Sequence, residues 1–257
     1  ILIKKLFYLF QNQLMIQNNN SLSGKTCFIT GATGGLGKSL ASGLALSQCN
    51  LFLTSTNKKK LEELKKNLLK LNPDIKINYT VCDLRQLNDI KKTIKKFRTT
   101  FQNCDILINC AGMLSVKLLS KSIITDFNSI FEINVRAPFL FSKEFSPDMK
   151  KKKWGRIVNV GSTSSYEGFA ETSIYSASKH ALLGFSRSIQ KELKSYGIRT
   201  YCFSPGSIKT KMGRQIKGQN YSTFIDPREI AEIILTSIRF DNEMIIPEIR
   251  LDRIDKI

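Results

Sequence analysis

The sequence predicts an α/β fold, a single domain in which a parallel sheet of about seven strands carries helices on both faces. Short, continuous apolar runs alternate with longer stretches of helical periodicity along the whole chain, as in sheets whose strands are buried on both faces. With 257 residues, 42% of them hydrophobic, the chain can form one large core. Right-handed crossovers between parallel strands then give a doubly wound, Rossmann-like sheet.

Each predicted element follows from one apolar or periodic segment. The strands are expected at Thr26–Thr30, Asn50–Thr54, Ile75–Cys82, Asp105–Ile108, Arg156–Val160, Ile198–Phe203 and Met244–Ile249. The helices are expected at Lys38–Ser47, Leu61–Leu71, Leu87–Phe101, Ile123–Met149, Ser173–Tyr196 and Pro227–Ile238. Because proline cannot donate to a strand ladder, Pro247 predicts an edge position or a bulge for the last strand.

The first 21 residues are predicted to be an extension outside the domain, which occupies residues 22–257. The apolar run at the start is short and lacks a small-residue cleavage site, which argues against a secretory signal. Met15 opens a polar stretch that leads into the first strand and is expected to be the natural start. An interfacial basic helix is the alternative for residues 1–14. No run of eighteen apolar residues exists, so no membrane span is predicted.

The formal charge of +19 and the pI near 9.7 raise the question of a nucleic-acid partner. Lysines are spread through every segment rather than clustered on one element, as in Lys58–Lys60 and Lys150–Lys153. A solvated surface is therefore predicted, with electrostatic steering of an acidic or phosphorylated partner as the alternative, and no nucleic acid.

Cysteine and histidine usage narrows the chemistry further. The six cysteines include no C-x-x-C pair, which predicts buried free thiols in a reducing compartment, and hence a cytoplasmic protein. His180 is the one histidine, so neither a histidine-based metal site nor a Ser-His-Asp hydrolase is expected. No metal is predicted.

A glycine-rich turn, Thr30–Gly37, follows the first strand and precedes the first helix, and this is the context that a dinucleotide site requires. Glycines let the backbone amides approach a pyrophosphate, and the helix N-terminus favours its negative charge. The candidate contacts are Gly31, Thr33, Gly34, Gly35, Leu36 and Gly37.

The end of the second strand bears on the choice of cofactor. An NAD enzyme commonly carries an acidic residue about twenty residues after the glycines, where it binds the ribose 2′-hydroxyl. Here that place holds Ser55, Thr56 and Asn57, and lysines follow at once. Hydroxyls with Lys58 or Lys59 could receive a 2′-phosphate, so NADP(H) is predicted as the preferred cofactor and NAD(H) as the alternative.

The segment Tyr175-Ser-Ala-Ser-Lys179 predicts acid–base chemistry. Positions i and i+4 share one face of a helix, so both side chains can act on one point. Tyrosine has an ordinary pKa of about 10, and a cation one turn away favours the phenolate and lowers that pKa. Among the seven tyrosines, Tyr175 alone has a lysine at i+4.

Together these segments resemble the short-chain dehydrogenase/reductase family from roughly Leu22 to the C-terminus. Thr30–Gly37 is similar to the family's T-G-x-x-x-G-x-G turn, and Ser162 lies thirteen residues before Tyr175, as in the family. Further matching positions are Asp83 with Leu84, Asn109 with Ala111 and Gly112, Asn134, and Pro205, Gly206, Ile208 and Thr210. The sequence departs from the pattern at Cys110, where the family has a second Asn, and at Ile245–Ile257, which lacks a common glycine pair. Gly34 makes the turn also fit the form found in longer sugar-nucleotide epimerases.

The resemblance implies reversible hydride transfer between a nicotinamide and a carbonyl/alcohol pair, with Tyr175 as the proton donor in reduction. It implies that Ser162 binds the substrate oxygen, with Ser164 and Ser165 as alternatives. Lys179 is implied to lower the Tyr175 pKa and to hold the nicotinamide ribose, and Asn134 to position a water that reprotonates Lys179. Asp83 is implied to contact the adenine, and Pro205–Thr210 the nicotinamide.

Substrate recognition is expected from residues 208–225, a polar and basic lid carrying Lys209, Lys211, Arg214, Lys217 and Tyr221. Among the family's substrates, 3-oxoacyl thioesters suit a basic protein, because an acyl carrier protein is acidic and could dock at Lys191. A dehydrogenase of a sugar, steroid or small alcohol using NAD, a non-catalytic cofactor-binding regulator and a basic binding protein on the same fold are the alternatives.

The resemblance also implies a homodimer or homotetramer packed through the helices at 123–149 and 173–196. The apolar residues that would serve it, or equally an ordinary core, are Phe139, Phe141, Leu182, Leu183 and Phe185.

Overall fold

The computed structural model describes residues 22–216 and 218–254, so the expectations for the extension, for Met15 and for Lys217 lie outside the described residues. In this part of the chain seven strands form one parallel sheet in the order β3-β2-β1-β4-β5-β6-β7. The strands are β1 Thr26–Thr30, β2 Asn50–Ser55, β3 Ile77–Val81, β4 Ile106–Asn109, β5 Gly155–Val160, β6 Ile198–Pro205 and β7 Glu248–Leu251. The predicted doubly wound, Rossmann-like α/β fold is confirmed.

Seven α-helices cover the two faces of the sheet within the described residues. They are α1 Gly35–Leu46, α2 Lys58–Leu71, α3 Leu87–Phe101, α4 Ile124–Phe131, α5 Ala137–Lys152, α6 Ser173–Leu193 and α7 Pro227–Arg239. The predicted bounds of α3 are confirmed, and those of the others differ by a few residues at most, except at α4 and α5. None of the helices in the described ranges is both long and apolar enough to cross a membrane.

The single helix predicted over Ile123–Met149 was wrong, because a π-helical turn at Glu132–Arg136 separates α4 from α5. Pro138 lies four residues after Asn134 and has no N–H, so it cannot donate the ordinary helical hydrogen bond to the Asn134 carbonyl. The chain widens there, and π-helical turns of this kind are frequent at functional sites.

The last strand lies later in the chain than predicted, at Glu248–Leu251 instead of Met244–Ile249. Pro247 immediately precedes the strand and cannot donate, although its carbonyl accepts a hydrogen bond from the Cys202 N–H at 2.8 Å. β7 pairs only with β6 among the described strands, so the predicted edge position is confirmed.

The core consists of two layers, one on each face of the sheet. Successive residues of a strand point to opposite faces, so Ile29 joins an aliphatic layer under α1, α2 and α7, and Phe28 joins an aromatic layer under α3 and α5. The Phe28 ring lies 4.8 Å from the ring of Phe141 and 5.1 Å from that of Phe145, centroid to centroid. These layers hold the carboxyl ends of the central strands rigidly in place.

The residues predicted to serve either an oligomer interface or the core divide between the two. Phe141, Leu182 and Leu183 are buried, as core residues are. Phe139 is 45% exposed and meets the ring of Phe185 edge to face at 6.2 Å. Of this set, Phe139 on α5 therefore offers apolar surface that the described chain leaves uncovered.

Candidate active site

A cavity of about 770 Å³ opens at the carboxyl ends of β1, β4, β5 and β6, where ligands bind in open α/β sheets. It brings together most of the predicted site residues: Gly31, Gly34, Gly35, Leu36, Gly37, Gly112, Ser162, Tyr175, Lys179, Pro205, Gly206, Ile208 and Thr210. The remaining candidates, Thr33, Ser55, Thr56, Asn57, Asp83, Leu84, Asn109, Ala111 and Asn134, are not part of its lining.

The glycine turn is shaped so that side chains would not fit in it. Gly31 has φ +64°, and a Cβ atom added there would lie 2.7 Å from the Cα of Ala111. A Cβ on Gly37 would lie 2.3 Å from the Gly31 carbonyl oxygen. Both positions therefore require glycine, the first for its backbone conformation and both for space.

The start of α1 fits a bound pyrophosphate. Gly34 is the N-cap residue, and the first turn that follows it, Gly35-Leu36-Gly37, lines the cavity and carries no acidic side chain. The first N–H groups of a helix have no intrahelical acceptors and favour an anion. The glycine cradle and this helix end are what a dinucleotide needs.

The ends of β1 and β4 are joined by Thr30, whose Oγ1 accepts hydrogen bonds from the N–H groups of Cys110 and Ala111, both at 3.1 Å. Asn109 donates from Nδ2 to Asn159 Oδ1 at 2.8 Å. The buried Asn109 Oδ1 has no hydrogen-bond partner among the described residues. Ala111 and Asn109 thus hold the end of β4 to the ends of β1 and β5, behind the cavity lining.

Some of the polar groups at the end of β2 already form hydrogen bonds within the fold. Asn57 caps α2 by accepting from the Lys60 N–H at 2.9 Å, and the Asn57 N–H donates to Ser55 Oγ at 3.3 Å. Lys58 is exposed, 3.9 Å from Glu62. This corner is the N-terminus of a helix flanked by hydroxyls and lysines, a surface that suits a phosphate.

Asp83 lies beside Arg85 instead of in the cavity. The Arg85 guanidinium donates to both carboxylate oxygens, with Nη2 2.7 Å from Oδ2 and Nε 3.0 Å from Oδ1. These bonds, chiefly, hold the pKa of Asp83 below its ordinary value. Asp83 is therefore a fixed, ionised carboxylate, and the neighbouring Leu84 is buried in the aromatic layer.

Helix α6 positions Tyr175 and Lys179 on one face, as their spacing predicted. Lys179 is buried, and its ammonium donates to the Val160 carbonyl at 2.7 Å. Burial lowers the pKa of Lys179 to about 8. The ammonium lies 5.7 Å from the centre of the Tyr175 ring.

The Tyr175 pKa is raised in this structure, whereas the sequence predicted that Lys179 lowers it. Burial of the phenol is the larger effect and favours its neutral form, while a hydrogen bond with Ser162 acts in the opposite direction. Spacing along a helix does not show how deeply a phenol is buried. At neutral pH the Tyr175 hydroxyl is therefore a proton donor.

Ser162 begins a tight 3₁₀ turn directly after β5. Its Oγ accepts from the Ser164 N–H at 3.2 Å, while its own N–H donates to Ser165 Oγ at 3.2 Å. This reciprocal capping fixes the Ser162 hydroxyl at the cavity wall next to Tyr175. Ser165 is buried and occupied in the cap. Ser164 also lines the cavity, but Tyr175 forms its side-chain hydrogen bond with Ser162, so Ser162 is the better placed of the three serines.

Asn134 is buried in the π-helical turn, and its side chain is fully engaged. Its Oδ1 accepts from the Met113 N–H at 2.8 Å, and its Nδ2 donates to the Met113 carbonyl and to Ser178 Oγ, both at 3.0 Å. The side chain thus ties the loop after β4 to helix α6. The side chain therefore holds this loop against the helix, and the predicted contact with a water stays a prediction.

All six cysteines fall within the described residues and are free, as predicted. Cys110, the departure from the family pattern, lines the cavity, and burial raises its pKa to about 12. Burial likewise raises the pKa of Cys202. Both thiols are therefore protonated and unreactive near Lys179.

Part of the lining was not predicted from the sequence. One group comes from the loop after β4, one from the loop between Ser162 and α6, and one from β7 and the tail after it: Leu114, Val116, Glu167, Phe169, Ala170, Glu171, Thr172, Arg250, Asp252 and Arg253. A usable signal existed, since parallel strands all end at one edge and the residues after the last strand must arrive at the same edge. Within the predicted lid, Lys211 lines the cavity, while Lys209, Arg214 and Tyr221 do not.

Comparison with known proteins decides the family. A model of the short chain dehydrogenase family matches residues 25–220. The chain belongs to the short-chain dehydrogenase/reductase family. It is 33% identical over 227 residues to the 3-oxoacyl-acyl-carrier-protein reductase FabG of Buchnera aphidicola, covering 84% of this chain and 91% of that protein. It is 31% identical over 245 residues to a dehydrogenase/reductase SDR family protein 7-like of Drosophila melanogaster, covering 90% and 75%.

The solved structures agree with this family membership. A metagenomic short-chain oxidoreductase in complex with NADP superposes with a TM-score of 0.79 at 25% identity, covering 90% of this chain and 98% of that one. The chain is thus an NAD(P)-dependent oxidoreductase of the short-chain family that acts on CH–OH groups. The bound NADP belongs to that neighbour, and the preference of this chain for NADP(H) over NAD(H) stays a prediction.

Proposed function

We propose that this short-chain enzyme reduces a carbonyl to a secondary alcohol with NADPH, and that Tyr175 is its general acid. The supporting observation is that Ser162, Tyr175 and Lys179 line the same cavity as the glycines of the Thr30–Gly37 turn. The groups that would move a proton and those that would hold a dinucleotide are thereby placed within reach of one substrate.

In this mechanism the nicotinamide, when bound, supplies the hydride. Ser162 donates a hydrogen bond to the substrate oxygen and stabilises the negative charge that develops there. Single donors of this kind are worth about 2.7–4 kcal/mol when deleted. Tyr175 gives its proton to the same oxygen. The raised pKa of Tyr175 supports this direction, because a neutral phenol has the proton that reduction consumes.

Lys179 is proposed to hold the nicotinamide ribose and to return a proton to Tyr175. Its lowered pKa, about 8, supports the second role, since an ammonium with that pKa releases and regains a proton near neutral pH. Asn134 is proposed to position the loop of Met113 and, through its carbonyl, the water from which Lys179 is recharged.

The cofactor is proposed to lie along the edge of the sheet from β2 to β6. Its pyrophosphate would meet the first turn of α1, its 2′-phosphate the corner of Ser55, Thr56 and Asn57, and its adenine Asp83 and Leu84. The ends of β4 and β6 would hold the nicotinamide half: Asn109, Ala111, Gly112, Pro205, Gly206, Ile208 and Thr210.

The proposed substrate is a 3-oxoacyl thioester. Support comes from the identity to proteins named 3-oxoacyl-acyl-carrier-protein reductase and from the net charge of +19, which favours an acidic carrier. Lys191 is exposed on the last turn of α6 and is proposed as one docking point for such a carrier. A homodimer or homotetramer, assembled through α4, α5 and α6, and a cytoplasmic location are part of the same proposal; the exposed Phe139 and the free thiols support them.

The test is NADPH oxidation against a panel of carbonyl compounds headed by a short 3-oxoacyl thioester, with NADH in parallel. Turnover of the thioester with NADPH is expected. Turnover of a sugar, steroid or small ketone instead would keep the mechanism and contradict the acyl substrate. Tight cofactor binding without turnover of any carbonyl would contradict the enzymatic proposal and favour a cofactor-binding regulator.

A further inference from the structure

Beyond the reacting groups, the cavity extends into a compartment with an apolar wall. Leu114 and Val116 come from the loop after β4, Met212 and Ile216 from the lid, and Phe169 from the loop that leads to α6. Such a wall favours a hydrocarbon body over a polar one, because burying apolar surface is favourable by about 25 cal/mol per Å².

The charges around this compartment are balanced, unlike those of the whole chain. Apart from Lys179, three basic and three acidic side chains line the cavity: Lys211, Arg250, Arg253, Glu167, Glu171 and Asp252. The chain has 40 basic and 21 acidic residues in total. The acids are thus enriched where the substrate would enter.

Arg250 lies between two of these acids. It is 2.5 Å from Glu167, in the loop between Ser162 and α6, and its Nε donates to Asp252 Oδ2 at 2.8 Å. We call these three residues the Arg250 clasp. It joins the end of β7 to the loop that carries the proposed catalytic serine. All three residues line the cavity, and we call this part of the lining the mouth.

The clasp has a net charge of −1, because one guanidinium is shared by two carboxylates. Glu171 adds a further negative charge to the same wall. Arg253 is directed towards the lid, where it donates to Thr223 Oγ1 at 3.1 Å and stands over the Phe224 ring at 5.4 Å. An anion that approaches the clasp therefore meets a guanidinium that is already neutralised and carboxylates that repel it. Lys211 and Lys179 also line the cavity and attract an anion, so the clasp acts against them.

We propose that the Arg250 clasp selects for carbonyl substrates that carry no charge near the carbonyl and have an apolar body, and rejects free oxo-carboxylates. The selected class includes thioesters, esters and alkyl ketones. This inference rests on the proposed carbonyl reduction and adds the charge class of the substrate.

The experiment uses a matched pair of substrates, a short 3-oxo acid and its N-acetylcysteamine thioester, which share the reacting carbonyl and differ in charge. The wild-type enzyme is expected to prefer the neutral thioester at least about tenfold in kcat/KM. Glu167→Gln and Asp252→Asn each free part of the Arg250 charge. Each is expected to raise kcat/KM for the free acid about three- to fivefold, as one exposed charge pair allows, and to change kcat/KM for the thioester clearly less than that for the acid.

Two further variants test the direction of the effect on kcat/KM for the free acid. Arg250→Gln leaves the two carboxylates without their cation, so activity towards the free acid is expected to fall further. Glu63→Gln, an exposed acid on α2 away from the cavity, is the matched control and is expected to change neither substrate. A loss of packing would lower both activities together, whereas the clasp changes one of them.

Salt gives a second readout on the unaltered enzyme. At 1 M salt, where the screening length is about 3 Å, the preference for the thioester is expected to shrink. Equal turnover of acid and thioester by the wild type, or no gain for the acid in Glu167→Gln and Asp252→Asn, would overturn the inference and leave the carbonyl reduction standing. Failure to reduce any carbonyl would overturn both.

Discussion

The reaction centre and the substrate mouth of this enzyme are built by different means. At the centre, Lys179 and Ser162 are fixed by hydrogen bonds to backbone groups at the end of β5 and in the turn that follows it. At the mouth, the Arg250 side chain is 39% exposed. It pairs with Glu167, which lies on a loop, and with Asp252, which lies in the tail after β7. The sheet fixes the geometry of the reaction centre, whereas ion pairs between exposed side chains hold the mouth together.

This difference indicates which property each region controls. A proton donor must be held to within fractions of an ångström, which buried strand ends and helix faces provide. A substrate mouth needs only weak preferences, and exposed ion pairs are worth up to about 1 kcal/mol each. Changes at the centre should therefore abolish the reaction, while changes at the mouth should redirect it.

The largest effect is expected from Tyr175→Phe, which removes the proposed proton donor. Turnover should fall by about a thousandfold or more, within the range of general acid catalysis, while NADPH affinity stays nearly unchanged. Steady-state rates and a fluorescence titration with NADPH measure the two quantities. Tyr221→Phe, in the lid, is the matched control and should retain activity. Full turnover in Tyr175→Phe would refute the assignment.

Next in size is Ser162→Ala, which deletes the proposed hydrogen bond to the substrate oxygen. A loss of about 10²–10³ in kcat is expected, as for other deleted donors at such sites. Ser164→Ala tests the alternative serine and should leave kcat within a few fold. The assignment of Ser162 would be wrong if the two variants exchanged these outcomes.

Ser55→Asp tests the cofactor corner at the end of β2. A carboxylate there repels a 2′-phosphate, so NADPH affinity should fall by about ten- to a hundredfold while NADH affinity is kept or improved. Dissociation constants for both cofactors give the result. If wild-type NADPH binds no more tightly than NADH, the predicted preference is contradicted.

The pH dependence follows from the shifted pKa values of the catalytic pair. The Lys179 pKa is lowered to about 8, so its charge is present below pH 8 and lost above it. Tyr175 has a raised pKa and keeps its proton over this range. The kcat/KM of reduction should therefore fall above pH 8, about tenfold at pH 9. A profile that stays flat to pH 10 would separate Lys179 from proton transfer.

The smallest effects are expected at the apolar wall. Lengthening the acyl chain of the substrate should raise kcat/KM by about two- to threefold per methylene, since burying one is worth up to about 0.8 kcal/mol. Leu114→Asn should flatten this dependence, and Leu118→Asn, outside the cavity lining, should not. Equal slopes in both variants would show that Leu114 does not contact the chain.

The sequence predicted many of the residues that line the inner part of the cavity and few of those at the mouth. The Thr30–Gly37 turn and the Tyr175–Lys179 spacing are local patterns, and local patterns keep their geometry in the fold. The raised pKa of Tyr175 depends on burial by distant segments, so spacing alone gave the wrong direction. Only Pro138 indicated the π-helical turn, because the apolar residues keep a helical period through this segment.

The clasp was not predicted for a different reason. Arg250 and Glu167 are far apart in the chain and meet because β7 is parallel to the other strands and ends at the same edge. The sequence placed the start of the last strand at Met244 instead of Glu248, so this contact was not predicted. Once β7 is placed at Glu248–Leu251, the tail must enter the mouth of the cavity.

The most direct test of the central claim is to follow the hydride itself. NADPH labelled with deuterium at the reactive carbon of its nicotinamide is incubated with the enzyme and a carbonyl substrate that it turns over, and the alcohol is examined by mass spectrometry and NMR. Direct transfer predicts one deuterium on the carbinol carbon in every molecule of product. An unlabelled alcohol, or deuterium found in the solvent, would contradict a reaction centre built for hydride and proton transfer to one carbonyl.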